Sequence, residues 1–110
     1  MEHMIQTIFW MVACHMIGDY VLQTDFIAKT KGENWYHLFV HSVLYVVPFV
    51  VVFGFGYGWF TVGMAISLYT THFVIDAWKA RYKTIGYAED QFMHYFVLML
   101  ILFAVYKGWW

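Results

Sequence analysis

Ionisable side chains recur at helical spacing inside segments that are otherwise apolar: His15 with Asp19, His37 with His41, His72 with Asp76, and Asp90 with His94. Residues four apart share one face of an α-helix and lie about 6 Å apart along its axis. Each pair therefore projects both of its polar groups toward the same neighbour. Four helices that turn these faces inward would enclose imidazoles and carboxylates in one place. The spacing predicts an all-α bundle with a polar cluster inside it.

The surroundings of the pairs set the solvent. Hydrophobic residues make up 63% of the chain and charged residues 12%, against roughly a quarter charged in a soluble domain. A hydrocarbon core takes about 20 predominantly apolar residues per crossing. The expected architecture is a single integral membrane domain over residues 1–110, a four-helix transmembrane bundle with spans near 4–23, 36–53, 59–78 and 90–107. The amino end, Met1-Glu2-His3, has no basic segment and no small-residue cleavage site follows it, so the first helix is expected in the mature protein. Gly54, Gly56 and Gly58 are expected to form a tight reversal that makes the second and third helices antiparallel neighbours. Pro48 is expected to kink the second span. Gly63 and Ser67 would give the third a small face for helix packing.

A formal net charge of −1 argues against a nucleic-acid partner, which would require a clustered basic face. The single cysteine, Cys14, excludes an internal disulfide. Lys29 and Lys31 fall in the first loop, Lys79, Arg81 and Lys83 in the third, and Lys107 near the opposite end. Because cytoplasmic loops retain Lys and Arg, both termini are expected on the outer side. Trp59, Trp109 and Trp110 would then anchor the outer interface, and Trp35 and Trp78 the inner one. All four ionisable pairs fall in the cytoplasmic half under this topology. Their common depth was not used to assign it.

The run His15-Met16-Ile17-Gly18-Asp19-Tyr20-Val21-Leu22-Gln23, then Lys29 and Lys31, His41 with Tyr45, His72-Phe73-Val74-Ile75-Asp76 with Lys79, and Asp90-Gln91-Phe92-Met93-His94 resembles the domain of unknown function 3307 family of small bacterial and phage membrane proteins. The resemblance implies a multi-pass protein of the bacterial inner membrane. It matches the family's pattern at His15, Gly18, Asp19, Gln23, His41, His72, Asp76, Asp90, Gln91 and His94. It implies no activity, and it sets His3 and His37 aside.

Mixed imidazole and carboxylate donors suit zinc first, with iron or manganese as alternatives, better than copper(I) or magnesium. His15, His41, His72, Asp76 and His94 are the candidate ligands of such a divalent metal. Asp19 and Asp90 are candidate catalytic groups that orient an imidazole or take a proton from a bound water. A catalytic zinc keeps a water position open and lowers that water's pKa toward about 7. Set beneath the lysine-rich loops at headgroup level, the site suggests a metal-dependent membrane hydrolase acting on a lipid or lipid-linked phosphate.

Three readings compete with it. The same groups would serve an ion or proton carrier or channel. Two facing histidines would ligate haem, which the adjacent aspartates disfavour. A non-enzymatic structural or regulatory membrane subunit would use the groups as an interhelical hydrogen-bond network. Membrane lipids, a second copy of the chain or another membrane protein are the expected partners. More ordinary roles also apply to single residues: capping for Asp90, interfacial hydrogen bonding for His3 and His37, and topology alone for the basic loops. No Walker-type phosphate loop, dinucleotide fingerprint, nucleophile elbow or His-Glu-x-x-His helix is present. Ser42 points about 100° away from its neighbour His41 on a helix and is a poor nucleophile candidate.

Overall fold

Four of the helices begin where a side-chain oxygen accepts from a backbone N–H at the helix start. In the computed structural model, which describes residues 2–108, Thr24 Oγ1 accepts from Ile27 N at 3.1 Å and opens α2 (Asp25–Thr30). Asn34 Oδ1 accepts from Tyr36 N at 2.9 Å and His37 N at 3.2 Å and opens α3 (Trp35–Phe49). Thr61 Oγ1 accepts from Met64 N at 3.2 Å and opens α4 (Val62–Asp76). At α5 (Tyr87–Tyr106) the Glu89 carboxylate reaches back to the Gly86 N–H. The chain starts in α1 (Glu2–Met16).

Three of these helices continue as π-helix: α1 through Ile17–Val21, α3 through Val50–Gly56 and α4 through Ala77–Arg81. Short π-helical stretches are rare and concentrate at functional sites. Two of them adjoin the ionisable pairs, since Asp19 lies inside the first and Asp76 immediately precedes the third. Pro48 lies inside α3, two residues before the ladder changes. Its ring and missing N–H disturb the α-helical pattern there.

The result is all-helical: four long rods and the short α2, with no strand among the described residues. α3 packs against α1, α2 and α4, and α4 also packs against α5. Trp35–Gly56 and Tyr87–Tyr106 are long and apolar enough to cross a membrane.

The structure differs from expectation at the reversal after α3 and at Asp90. The reversal after α3 occupies Tyr57–Thr61, because Gly54 and Gly56 still belong to the helix and only Gly58, at φ +84°, takes a left-handed conformation. Asp90 does not cap α5, since the helix starts three residues earlier and the aspartate is buried within its first turns. Gly63 is exposed. Trp109 and Trp110 lie outside the described residues.

The interior is divided along the bundle. Met11, Phe49, Phe53, Leu68, Leu98 and Ile101 form an apolar core with Cys14 and Tyr45 at its edge. Next to it are buried His15, Asp19, Lys31, His41, His72, Asp76, Asp90 and His94. The outer surface has the opposite character, with Phe9, Phe26, Phe55, Val62, Phe92 and Phe96 all exposed.

Candidate metal centre

Two close backbone approaches align the helices that build the cluster. A Cβ on Gly18 would lie 2.7 Å from the Tyr45 carbonyl oxygen and 2.9 Å from its Cα. Only glycine lets α1 pass so near α3. A Cβ on Gly32 would collide with the backbone of Ala80, so the loop after α2 is seated against the π-helical end of α4. That seating carries Lys31 inward, to 5% exposure.

At the centre, Asp19 and Asp76 face three imidazoles. His41 Nε2 lies 3.3 Å from Asp19 Oδ1 and 3.0 Å from Asp76 Oδ2. His72 Nε2 lies 3.9 Å from Asp19 Oδ1 and 3.6 Å from Asp76 Oδ2. His94 Nε2 lies 3.5 Å from Asp76 Oδ1 and 3.2 Å from Asp90 Oδ1. Two overlapping ligand sets result: Asp19, His41, His72 and Asp76 in one, Asp19, Asp90 and His94 in the other. Within each set the donor atoms lie within 4.8 Å of one another.

Proximity is not matched by hydrogen bonding. His41 Nε2, His72 Nε2, His94 Nε2, Asp76 Oδ1 and Asp90 Oδ1 are buried and have no aligned partner, and neither do the Nδ1 atoms of His41 and His72. Seven of the nine unpartnered buried side-chain atoms among the described residues therefore sit in this one cluster. Each such atom costs about 1–3 kcal/mol if left unsatisfied. A cation accepts lone pairs from several directions at once, which donor–acceptor pairs between these groups do not. The donor set thus fits a divalent metal, and N and O ligands together favour zinc, iron or manganese.

His15 is placed differently. Its Nε2 donates to Gln91 Oε1 at 2.9 Å, which leaves Nδ1 to accept from the Tyr45 hydroxyl at 2.8 Å. Both ring nitrogens are thereby engaged beside the cluster. Gln91 Nε2 donates in turn to Asp19 Oδ2 at 3.1 Å and Asp90 Oδ2 at 3.0 Å, leaving Asp19 Oδ1 turned toward His41 and His72. Tyr45 also stacks on His72, with ring centroids 3.9 Å apart and planes 14° apart. His37 is hydrogen-bonded to Thr30 Oγ1 at 2.6 Å, outside the cluster.

Two lysines complete the electrostatics. Lys31 Nζ donates to Asp76 Oδ2 at 2.8 Å, and Lys79 Nζ to Asp90 Oδ2 at 3.3 Å. With neutral imidazoles, three carboxylates against two ammonium groups leave the cluster one negative charge. Nothing local marked Lys31 as a member, because it meets Asp76 across 45 residues of sequence. Gln91 was marked by the family resemblance and by its adjacency to Asp90, and Tyr45 by the resemblance and its i, i+4 relation to His41.

No curated protein and no solved structure matches the chain. The model of one family, described as a protein of unknown function, DUF3307, matches residues 7–109. A buried His/Asp centre is therefore a feature of a chain that belongs to the DUF3307 family.

Proposed function

We propose that this chain is a four-span membrane bundle that binds one divalent metal, zinc first, and hydrolyses a lipid or lipid-linked phosphate. The observation that carries the metal is the convergence of buried, unpartnered imidazole nitrogens and carboxylate oxygens from separate helices. Support for the membrane comes from the inverted distribution of the side chains, with ionisable groups inside and large apolar groups outside. The molecule is 41 Å long, comparable to a bilayer of about 40–45 Å with its headgroups. α5 has 20 residues, which at 1.5 Å per residue spans about 30 Å. Both termini face outward in this reading, and the cluster lies toward the cytoplasmic side.

His41, His72 and Asp76 would hold the metal, with Asp19 as the base. A divalent cation there would supply Lewis acidity and lower the pKa of water toward about 7. Asp19 Oδ1, facing His41 and His72, would accept the proton of the attacking water as one P–O bond forms and the bond to the leaving alcohol breaks. The Lys79 ammonium, held by Asp90, would return a proton to that alkoxide. The Nδ1 atoms of His41 and His72 lack the supporting hydrogen bond usual behind a ligating imidazole. Loss of such support lowers metal affinity about 10–100-fold, so an exchangeable ion is expected.

An ion or proton carrier would draw on the same network. The apolar core of Met11, Phe49, Phe53, Leu68, Leu98 and Ile101 offers it no polar continuation toward the other end. That favours chemistry at the cluster over passage through it.

Elemental analysis of untagged, detergent-purified protein tests the reading, with His72→Ala and Asp76→Ala alongside. Near-stoichiometric zinc, iron or manganese in the native chain, lost in both variants, is expected, together with phosphate release from a lipid phosphate panel. No metal after reconstitution with each ion would sink the proposal.

A further inference from the structure

Five of the chain's six Lys and Arg residues line one cavity. Lys29, Lys31, Lys79, Arg81 and Lys83 surround a volume of about 580 Å³, with Glu33 as the only acidic residue in its lining. The seam that joins Gly32 to Ala80 runs through its wall. A topological bias of Lys and Arg toward one side of a membrane explains their side. It does not explain their convergence on one concavity, where Lys31 and Lys79 are met by Asp76 and Asp90 but Lys29, Arg81 and Lys83 share the lining with a single carboxylate, Glu33.

Three details argue for a built site. Lys83 holds φ at +55°, a conformation that a side chain adopts with strain and that glycine adopts freely. Strain of this kind clusters where a side chain has work to do. The Arg81 guanidinium is fixed in place, lying 4.0 Å above the Trp35 ring and donating to the Gly32 carbonyl at 3.4 Å. Its remaining N–H groups form a planar fork suited to oxyanions. Lys31 and Lys79 are ion-paired to Asp76 and Asp90, so two residues belong at once to the cavity and to the buried cluster.

We propose that this cavity binds a phosphoryl-type oxyanion. In its catalytic meaning, as the place where the substrate's phosphate is recognised beside the metal, this rests on the hydrolase reading. As a binding site it stands without metal, because every cation that forms it belongs to the chain. The ligand is a phosphate ester of a lipid headgroup or a free phosphate, since the same charges would hold either.

The experiment is calorimetric titration of inorganic pyrophosphate into the full, chelator-treated protein in mild detergent at low salt. Short-chain phosphatidic acid and inorganic phosphate serve as competitors. Saturable binding that weakens as salt is added is expected. Lys29→Ala and Lys83→Gly are each expected to weaken it about fivefold, through the loss of one nearby charge. Lys83→Gly relieves the strained backbone, so its loss of affinity comes with an unfolding temperature at least as high as the parent's. Displacement at lower concentration by phosphatidic acid supports the site and identifies a membrane source. Displacement at lower concentration by phosphate supports it and identifies a soluble one. Absence of saturable binding, or affinity unchanged in both variants, overturns the proposal. Anion binding in a protein that takes up no metal would overturn the hydrolase reading and leave this site standing.

Discussion

The two halves of the bundle interior obey different rules although the same helices build them. Around Phe53, Leu68, Leu98 and Ile101 the groups are apolar and well buried, and packing alone determines their fit. Around Asp19, His41, His72 and Asp76 the groups are equally buried, yet several polar atoms have no aligned hydrogen-bond partner among the described residues. The first half is closed by packing, whereas the second gathers imidazole nitrogens and carboxylate oxygens that could hold a metal ion. Tyr45 marks the boundary. Its ring belongs to the apolar core and stacks on His72, while its hydroxyl serves His15. The comparison teaches that burial in this protein serves two kinds of group, apolar side chains that cohere in one half and His/Asp groups that could hold a metal in the other.

The largest effect expected to sharpen this contrast comes from Asp76→Ala, which leaves Lys31 buried without its partner. Breaking a buried pair in this way costs about 3–5 kcal/mol, to be read in the unfolding free energy, and metal content should fall to background. The double change Lys31→Met with Asp76→Leu should recover most of the stability but none of the metal. If metal returned with it, the division between the halves would be wrong.

Phe53→Ala, in the other half, should cost about 3 kcal/mol by opening a cavity and leave metal content unchanged by elemental analysis. Next comes Gly18→Ala, whose methyl group would press on the Tyr45 backbone. Forced separation of α1 from α3 should cost about 1–3 kcal/mol in thermal unfolding. Because Asp19 and His41 ride on those two helices, metal affinity should drop as well. Tyr45→Phe removes the hydroxyl that donates to His15 and keeps the ring on His72. It should cost about 1 kcal/mol while metal titration stays near the parent curve. A large loss of metal there would extend the ligand-binding half past Tyr45.

Much of the polar half was legible because its members come in pairs at a spacing that helical geometry makes meaningful. His15 with Asp19, His72 with Asp76, and Asp90 with His94 declare a shared face without any knowledge of the partner helices. His41 lacked an acidic partner at that spacing, and its place beside both Asp19 and Asp76 is a product of helix packing. The spacing also could not separate His15, whose two nitrogens are satisfied by Tyr45 and Gln91, from the histidines whose nitrogens are not. Hydrogen-bond completion depends on neighbours 30 and 76 residues away. Asp90 looked like a cap because it stands near the start of an apolar run, but α5 begins at Tyr87, where Glu89 bonds the Gly86 N–H.

By itself the sequence determined the helical class, because the i, i+4 spacing of the ionisable pairs and the apolar runs around them are local properties of the chain. It also determined that imidazoles and carboxylates would line helix faces. Only the tertiary structure decided which faces meet: the approach at Gly18 that sets α1 on α3, the seam at Gly32 that turns Lys31 from a loop charge into the partner of Asp76, and the gathering of five cations in one cavity. The physical reason is range. Backbone hydrogen bonds and caps act over a few residues, whereas charge pairing and ligand geometry act through space between segments whose separation the chain's order does not encode.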